Sequence, residues 1–301
     1  MSRARDPKVI VPPDPAEADL AVVIVNYNAG DYLERCLTSL ASHRGDVSID
    51  VLVIDNDSRD GSHTQAVAAH PWVRLIENRE NVLLSPAWNQ GIRETKAPYV
   101  LLLNPDAEIW SGTLAGYVET ARRHPRAGIV GPQVLNPDGT VYPSGRSFPS
   151  LTDGVGHALL GSVAPNNAFS RRYKLDGWDR TTERVVDWVS GCCMLMPRQA
   201  IEDVGGFDED FALYGEEMDV ATRLRDAGWS VRFTPAVEVI HQIGVSTGRS
   251  RRTLTMHSNS IYRYYRKHRA AGWRRVTLPF AWALLRLRAE FEWMRGSVTQ
   301  G

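Results

Sequence analysis

The alternation of short apolar runs with segments of helical spacing is the strongest constraint on the fold of this 301-residue chain. Runs with the length and composition of buried strands lie at 20–25, 49–54, 73–76 and 99–103. Apolar residues at helical spacing lie at 31–42, 86–95 and 111–124. Because such alternation places helices on both faces of a sheet, it predicts an α/β fold with a Rossmann-like, mainly parallel central sheet.

The second half of the chain is less regular. Residues 136–167 are rich in Pro, Gly, Ser and Asn, and we interpret them as a long functional loop. Beyond them, strands are predicted at 185–189, 193–196, 229–233 and 237–240, and helices at 198–204 and 217–227. The predicted organisation is a polar extension at 1–19, a main domain with halves at 20–131 and 132–250, and a basic helical tail at 251–301.

A formal net charge of zero hides this basic tail, because residues 249–295 carry twelve Lys and Arg but two Glu. The cations are interleaved with Tyr, Trp, Phe and Leu, a composition typical of helices that lie on an anionic membrane surface. A helical subdomain packed on the main domain, or a contact in a homo-oligomer, is the alternative. The rest of the chain is net acidic, which disfavours nucleic acid as a partner.

No apolar run approaches the length of about 20 residues that a membrane-spanning helix needs. The longest candidate, at 276–285, is bracketed by Arg275 and Arg286, and residues 1–19 lack the apolar core of a signal peptide. The three cysteines, at 36, 192 and 193, have the spacing of neither a disulfide framework nor a zinc site. We therefore expect a cytosolic protein, attached peripherally to the inner face of the plasma membrane.

Polar side chains follow the second predicted strand, where Asp55, Asn56 and Asp57 offer hydrogen-bonding groups to a base or a ribose. The same residue types form ordinary turns, so this loop has a purely structural alternative. Its position at the carboxyl end of a parallel strand favours the binding role.

The apolar run at 102–106 ends in the single carboxylate Asp106. Open α/β sheets bind ligands at this edge, and Mg²⁺ is usually held by one or two carboxylates together with substrate phosphates. A metal ion there would stabilise a departing nucleoside diphosphate. The alternative is an Asp that caps a helix following Glu108.

Three further acids, Glu216, Glu217 and Asp219, lie where the helix at 217–227 is predicted to begin. The helix dipole favours carboxylates in a first turn, but three acidic residues among four consecutive positions are more than capping requires. A transferase needs one carboxylate as the general base that takes a proton from the acceptor hydroxyl. His241 follows the last predicted strand, and its imidazole would complete a mixed oxygen and nitrogen metal site with Asp106. A structural histidine is the alternative.

Five motifs together resemble the family 2 inverting glycosyltransferases of the GT-A fold: VVIVNYN at 22–28, IDNDS at 54–58, NPD at 104–106, GGFDE at 205–209 and YGEEMD at 214–219. The resemblance spans residues 20–250. Within it, NPDG at 136–139, YPS at 142–144, FPS at 148–150, and His241 with STGR at 246–249 resemble the actinobacterial branch that transfers L-rhamnose from dTDP-rhamnose to polyprenyl-diphosphate-linked N-acetylglucosamine. The resemblance implies an enzyme of cell-wall polysaccharide synthesis.

The resemblance also implies roles for individual residues. Asp106 and His241 would assist a Mg²⁺ or Mn²⁺ ion, with Asn104 in place of the first acid of the family's metal motif. Glu217 stands where the family has its catalytic Asp, while Asp219 and Glu216 stay open as alternatives for the base. Contacts to the nucleotide sugar are expected from Val25, Tyr27, Asp55, Asn56, Asp57, Asn89 and Asn104. Contacts to the acceptor or to phosphate are expected from Arg146, Trp188, Gly191 and Arg249, with a solvated side chain as the alternative for either arginine.

One position departs from the family's pattern. The family carries a glycine in the flexible segment before the helix at 86–95, whereas this chain has Leu83. If the backbone needs a positive φ or a close approach to the donor there, Leu83 alters donor specificity or activity.

The sequence thus predicts a single in-line displacement with inversion, in which Glu217 takes the proton and the metal ion takes up charge on the leaving diphosphate. A UDP-sugar donor stays open, because Asn56 can pair with the imide edge of uracil or thymine. A non-catalytic binding or scaffold protein of the same fold is the rival class, given Leu83 and the Glu-Glu pair. A sugar nucleotidyltransferase is disfavoured, because no glycine-rich phosphate loop follows the first strand.

Overall fold

The computed structural model describes residues 17–148, 164, 166–211, 213–242 and 250–298. Side chains are described in these ranges except at 273, 274 and 295–298. In this part of the chain, no helix combines the length and the apolar composition needed to cross a bilayer.

Four strands form the amino-terminal half of the central sheet, each connected to the next through a helix. The strands are β1 (Leu20–Asn26), β2 (Ile49–Asp55), β3 (Val73–Glu77) and β4 (Tyr99–Leu103). The helices are α1 (Tyr32–Ser42), α2 (Ser62–Ala69) and α3 (Leu84–Arg93). The strands are parallel in the order β3-β2-β1-β4, and β1 and β2 are buried along their whole length. The predicted α/β class is confirmed.

The remaining elements follow in chain order. The strands are β5 (Ala107–Ser111), β6 (Ala127–Leu135), β7 (Val141–Tyr142), β8 (Gly145–Arg146), β9 (Arg184–Val186), β10 (Trp188–Val189), β11 (Cys193–Pro197) and β12 (Ser230–His241). The helices are α4 (Leu114–Arg123), α5 (Ala168–Tyr173), α6 (Arg198–Asp203), α7 (Glu216–Asp226), α8 (Arg251–His268) and α9 (Leu278–Val298), with a 3₁₀ turn at Gly272–Thr277 before α9.

The carboxyl-terminal strands make the sheet mixed. Beyond β4 the order is β11-β6-β12-β5, and β11 is antiparallel to both of its neighbours. The helix predicted at 111–124 begins later, at Leu114, because residues 107–111 pair with β12 as strand β5. The two strands predicted at 229–233 and 237–240 are one strand, β12, with a register shift between Thr234 and Glu238.

The segment predicted as a loop, 136–167, contains the short strands β7 and β8 in its described part. Strand β8 pairs with β10, which sets Arg146 opposite Trp188. Each of these strands has two residues, too few for an alternating pattern to be visible in the sequence. Residues 149–163 and 165 lie outside the described residues.

Apolar layers cover both faces of the sheet. On one face, Val22 and Ile24 of β1 belong to a cluster with residues of α1 and α4. On the other face, Val23 and Val25 belong to a cluster with residues of α3, α6 and α7. The strands are therefore fixed between helices, and their carboxyl ends form one rigid edge.

The two tail helices form an antiparallel hairpin. The Tyr265 hydroxyl lies 2.7 Å from Thr277 Oγ1 near the turn, and Ser258 Oγ donates to the Leu285 carbonyl at 3.1 Å further along. Helix α8 also packs on α7, where the buried Tyr264 hydroxyl lies 3.1 Å from Thr222 Oγ1. In the described residues, α8 is thus part of a helical subdomain packed on the main domain, which was the alternative interpretation of the tail.

Candidate functional site

A cavity of about 790 Å³ opens at the carboxyl ends of β1, β2 and β4. The first turns of α7 and α8 also line it. Most of the predicted site residues contribute to its wall: Val25, Tyr27, Asn56, Asn104, Asp106, Arg146, Trp188, Gly191, Glu216, Glu217 and His241. Arg249 lies outside the described residues.

Three residues predicted to contact the nucleotide sugar do not line this cavity. Asp55 is buried and accepts hydrogen bonds from Asn26 Nδ2 and Ser58 Oγ, both at 2.7 Å, which join the ends of β1 and β2. Asp57 pairs with Arg59 at 2.7 Å on the surface. Asn89 donates to the Phe207 carbonyl and accepts from its amide, each at 2.9 Å. Their contacts support the surrounding loops.

The strand-end acid Asp106 faces His241 across the sheet edge. Because β5 begins at Ala107 and pairs there with the end of β12, the two side chains meet with Asp106 Oδ1 3.2 Å from His241 Nε2. Asn104 Nδ2 lies 3.4 Å from the same imidazole nitrogen. A strand follows Asp106, so the alternative interpretation as the cap of a helix is wrong.

Electrostatics favour the charged imidazole in this pair. Burial lowers the pKa of His241, but its interactions with Cys192 and Asp106 outweigh burial and raise the pKa to about 10. Its other nitrogen, Nδ1, is buried and has no hydrogen-bond partner among the described residues. A cation that binds Asp106 therefore competes with the proton of His241.

The residues present fit a divalent ion that is shared with a ligand. Within the described ranges, no group of three or more His, Cys, Asp or Glu side chains is arranged to hold a metal. Mg²⁺, however, is commonly bound through one or two carboxylates, with substrate phosphates and water completing the shell. Asp106, with His241 beside it, suits that mode.

Two carboxyl groups reach the opposite wall from the first turn of α7. The chain enters this helix through Tyr214 and Gly215, whose φ angles are +67° and +86°. Glu217 Oε2 accepts a hydrogen bond from the Gly215 amide at 3.0 Å. Glu216 is buried, and its Oε2 has no partner among the described residues.

Burial raises the pKa of both Glu216 and Glu217, but the neighbouring groups change this effect differently in the two residues. The pKa of Glu216 lies well above its usual value, because the charge of Glu217 adds to the effect of burial. The pKa of Glu217 is raised by burial too, but the Gly215 amide and the guanidinium of Arg146 oppose the shift. Of this pair, Glu217 is the group that more readily carries charge and accepts a proton.

Asp219, the third acid of the predicted cluster, lies away from the cavity. Its side chain is fully buried and accepts hydrogen bonds at 2.7 Å from Arg223 Nε, Lys267 Nζ and His268 Nε2. Burial would raise the pKa of Asp219, but these cations lower it to about 2. A carboxylate held in this way is a poor proton acceptor, which leaves Glu216 and Glu217 in the cavity wall.

Arg146 lies in a cage of aromatic rings. Its guanidinium carbon is 5.0 Å from the ring centre of Trp188, 5.3 Å from that of Tyr142 and 5.5 Å from that of Tyr173. Its Nε donates to the Pro143 carbonyl at 2.9 Å, and its amino groups donate to the two tyrosine hydroxyls. The cage holds a positive charge in the wall near Glu217.

Sequence reasoning missed two parts of this wall. The first is the start of α8, where Ser250, Arg252 and Met256 line the cavity although the sequence assigned them to the boundary of the tail. No local pattern signals that a helix more than thirty residues after Glu217 returns to the site. The second is Trp88, buried beside Gly191, whose Nε1 has no partner in the described part of the chain. Its place on the inner face of an amphipathic helix is typical of a core residue, so the sequence gives no signal of a site.

Leu83, the departure from the family's pattern, also lines the cavity, and its backbone is in a conformation that favours glycine. Its φ is +72° and its ψ −179°. Two amide side chains hold it there: Asn56 Nδ2 donates to the Leu83 carbonyl at 3.2 Å, and the Leu83 amide donates to Asn81 Oδ1 at 2.9 Å. The backbone therefore has the positive φ that the family's glycine would adopt, and Leu83 adopts it with conformational strain.

The sequence profile of glycosyl transferase family 2 matches residues 21–205, and the chain belongs to this family. The predicted family membership is confirmed. Among curated relatives, the N-acetylglucosaminyl-diphospho-decaprenol L-rhamnosyltransferase of Mycobacterium tuberculosis is 38% identical over 277 residues, covering 88% of this chain and 89% of that protein. The rhamnosyltransferase WbbL of Escherichia coli K12 is 24% identical over 229 residues, covering 73% of this chain and 82% of that protein.

Solved structures show that the fold is shared. The mannosyltransferase PcManGT of Pyrobaculum calidifontis, in complex with GDP-Man and Mn²⁺, matches with a TM-score of 0.57 and 17% identity, covering 97% of this chain and 78% of that one. GalNAc-T7 with UDP, GalNAc and Mn²⁺ matches with a TM-score of 0.59 and 16% identity, covering 82% of this chain and 50% of that one. Both of these structures contain a metal ion and a nucleotide.

Proposed function

We propose that this glycosyltransferase moves L-rhamnose from dTDP-rhamnose to a hydroxyl of polyprenyl-diphosphate-linked N-acetylglucosamine, a step of cell-wall polysaccharide synthesis. The mycobacterial relative, similar over nearly its whole length, supports the choice of the transferred sugar and of the acceptor. The observation that carries the proposal is the shared cavity, in which the half-buried Glu217 and the Asp106–His241 pair line the same space.

The reaction is a single displacement with inversion. Glu217 takes the proton from the acceptor hydroxyl, and the oxygen forms a bond to the anomeric carbon while the bond from that carbon to the diphosphate oxygen breaks. The Gly215 amide orients the Glu217 carboxylate through its hydrogen bond at 3.0 Å. Burial and the charge of Glu217 raise the pKa of Glu216, which favours the neutral form of Glu216 and the charged form of Glu217. Bound Mg²⁺ or Mn²⁺ at Asp106 and His241 would neutralise charge on the leaving diphosphate.

The two ends of the cavity suit the two substrates. Val25, Tyr27, Asn56 and Asn104 line the strand-end side, and we assign the nucleotide sugar to this side. Asp55, Asp57 and Asn89 support it through the loop contacts described above.

Arg146, Trp188 and Gly191 line the other side, and we assign the acceptor to it. The caged guanidinium of Arg146 offers charge-assisted hydrogen bonds to the acceptor's diphosphate. Because that acceptor is a membrane lipid, we also propose that the enzyme works as a peripheral protein on the inner face of the plasma membrane.

The test is calorimetric titration of dTDP-rhamnose, UDP-galactose and UDP-N-acetylglucosamine into the protein, with and without Mg²⁺. Metal-dependent binding of dTDP-rhamnose is expected, and Asp106→Ala should abolish its metal dependence. Asp226→Ala is the matched control, because Asp226 is 62% exposed and pairs with Arg225 on the surface. Preference for a UDP-sugar would overturn the rhamnose assignment, and binding of no nucleotide sugar would favour the scaffold class.

A further inference from the structure

Helix α9 and the turn before it carry a row of apolar side chains that faces away from the protein. Phe280, Leu287 and Met294 are seven residues apart, which places them on one side of the helix. They are 78%, 69% and 52% exposed, and Val276, 68% exposed, extends the row by one turn. We call these four residues, with the 43% exposed Phe291, the outer stripe.

The opposite side of α9 is already covered by the protein. Leu285 and Ala289 are 8% and 4% exposed, and the Leu285 carbonyl accepts the hydrogen bond from Ser258 of α8. A helix that is apolar on both sides normally has both sides covered. The exposed aromatic and aliphatic side chains of the outer stripe therefore indicate a binding surface.

Charge identifies the partner. The stripe lies in the segment of twelve Lys and Arg against two Glu, and Arg275 next to Val276 is exposed. Trp282 is 48% exposed with the Arg286 guanidinium 5.5 Å from its ring centre, a pairing of ring and cation that suits the interface between lipid and water. A second copy of the chain would bring two basic segments together, whereas an anionic lipid surface complements them.

The stripe also leads towards the catalytic cavity. Because α8 and α9 are antiparallel, the end of α9 lies beside the beginning of α8, where Arg251 pairs with Glu290 at 2.9 Å. The neighbouring residues Ser250 and Arg252 line the cavity. A membrane that covers the outer stripe thus comes close to the catalytic cavity.

We propose that α9 lies in the surface of an anionic membrane, with the outer stripe inserted among the lipids and the arginines at the headgroups. The purpose of this contact, delivery of a lipid-linked acceptor, rests on the proposed function. Membrane binding by α9 does not depend on the proposed function, and a binding measurement tests it.

The experiment is co-sedimentation of the full chain with vesicles of phosphatidylcholine, alone or mixed with phosphatidylglycerol. The wild type should bind the mixed vesicles, and the double variant Phe280→Glu with Leu287→Glu should bind them at least roughly tenfold more weakly, because two large apolar side chains no longer enter the lipid. Trp110→Glu with Val185→Glu is the matched control, since these side chains are 60% and 54% exposed elsewhere on the protein, and it should bind like the wild type.

A single substitution at an exposed residue tests the same contact with little risk that the variant misfolds. Arg275→Gln should weaken binding to the mixed vesicles several-fold and leave thermal unfolding unchanged. Equal binding of the wild type and the Phe280 and Leu287 variant would overturn the proposal. The proposal would also be overturned if sedimentation velocity showed a wild-type dimer that the Phe280 and Leu287 variant converts to monomer. The outer stripe would then bind a second copy of the chain.

Activity separates this proposal from the proposed function. The stripe variant should retain the wild-type rate with a short-chain, water-soluble acceptor and lose at least roughly tenfold with an acceptor held in vesicles. Should the wild type transfer rhamnose to neither acceptor, the proposed function fails, while the vesicle measurement still decides whether the outer stripe binds membrane.

Discussion

Two of the buried aspartates that pair with a histidine, Asp106 and Asp219, lie in different regions of this protein. At the sheet edge, Asp106 Oδ1 is 3.2 Å from His241 Nε2, and both side chains line the cavity. At the junction of α7 and α8, Asp219 Oδ1 is 2.7 Å from His268 Nε2, and the pair is closed off from the cavity. The residue types are the same, but the surroundings differ.

The number of cations around each carboxylate explains the difference. Asp219 also accepts hydrogen bonds from Arg223 and Lys267, so its oxygens are saturated and join α8 to the main domain. Asp106 has only an imidazole as its cationic partner among the described residues, so it retains acceptor capacity for a metal ion or a ligand. A buried acid is thus available for chemistry where its counter-charges are few, and serves as an anchor where they are many.

The largest effect on stability is expected from Asp219→Asn. Removing the charge of Asp219 leaves Arg223 and His268 without their counter-charge and Lys267 with Asp208 alone, and the free energy of unfolding should fall by about 3–5 kcal/mol. Asp106→Asn should lower it by less, because His241 can release its proton and the remaining side chains then carry no unpaired charge. Urea denaturation of the two variants measures both values. Equal losses would show that the two pairs do not differ as described.

Within the cavity, the largest effect on rate is expected from Glu217→Gln. The variant keeps the shape of the side chain but cannot accept a proton, so kcat should fall by at least about a hundredfold. Its stability should not fall, because burial makes the ionised carboxylate unfavourable. Steady-state kinetics and thermal unfolding check both statements, with Glu216→Gln as the matched control. If Glu216→Gln loses more activity than Glu217→Gln, the assignment of the base is wrong.

The junction of α7 and α8 should also contribute most to the loss of stability at low pH. Its carboxylate, Asp219, has a pKa lowered from 3.8 to about 2, so the folded state favours the charged form. The resulting stabilisation, about 2 kcal/mol, is present in full above the unfolded pKa and is lost as the pH falls from about 4 through 2. Unfolding free energies measured across this range should decline more steeply for the wild type than for Asp219→Asn. Parallel curves would contradict the assignment.

The sequence could predict the sheet edge but not the junction. Asp106 and Asn56 follow apolar strands, and the geometry of parallel sheets alone brings such positions together. The acids at 216, 217 and 219 look equivalent in the sequence, yet a helix turns about 100° per residue, so Asp219 points to the other side of α7 from Glu217. Its partners Lys267 and His268 belong to a tail whose charge pattern gave no sign of pairing with the main domain.

The expected effect is smallest at Leu83, in the cavity wall, where a residue other than glycine has a positive φ. Leu83 has a φ of +72°, whereas the turn near the junction uses Gly205, with a φ of +71°. A branched side chain in this conformation stores strain, so Leu83→Gly should raise the free energy of unfolding by about 1 kcal/mol, after the greater flexibility of glycine in the unfolded chain is subtracted. Gly205→Ala should lower it by about the same amount, although no atom lies within 4 Å of the added methyl group, because only the backbone opposes it. Thermal unfolding of both variants measures the pair of opposite shifts, and a loss of stability in Leu83→Gly would mean that packing of its side chain in the cavity wall outweighs the strain.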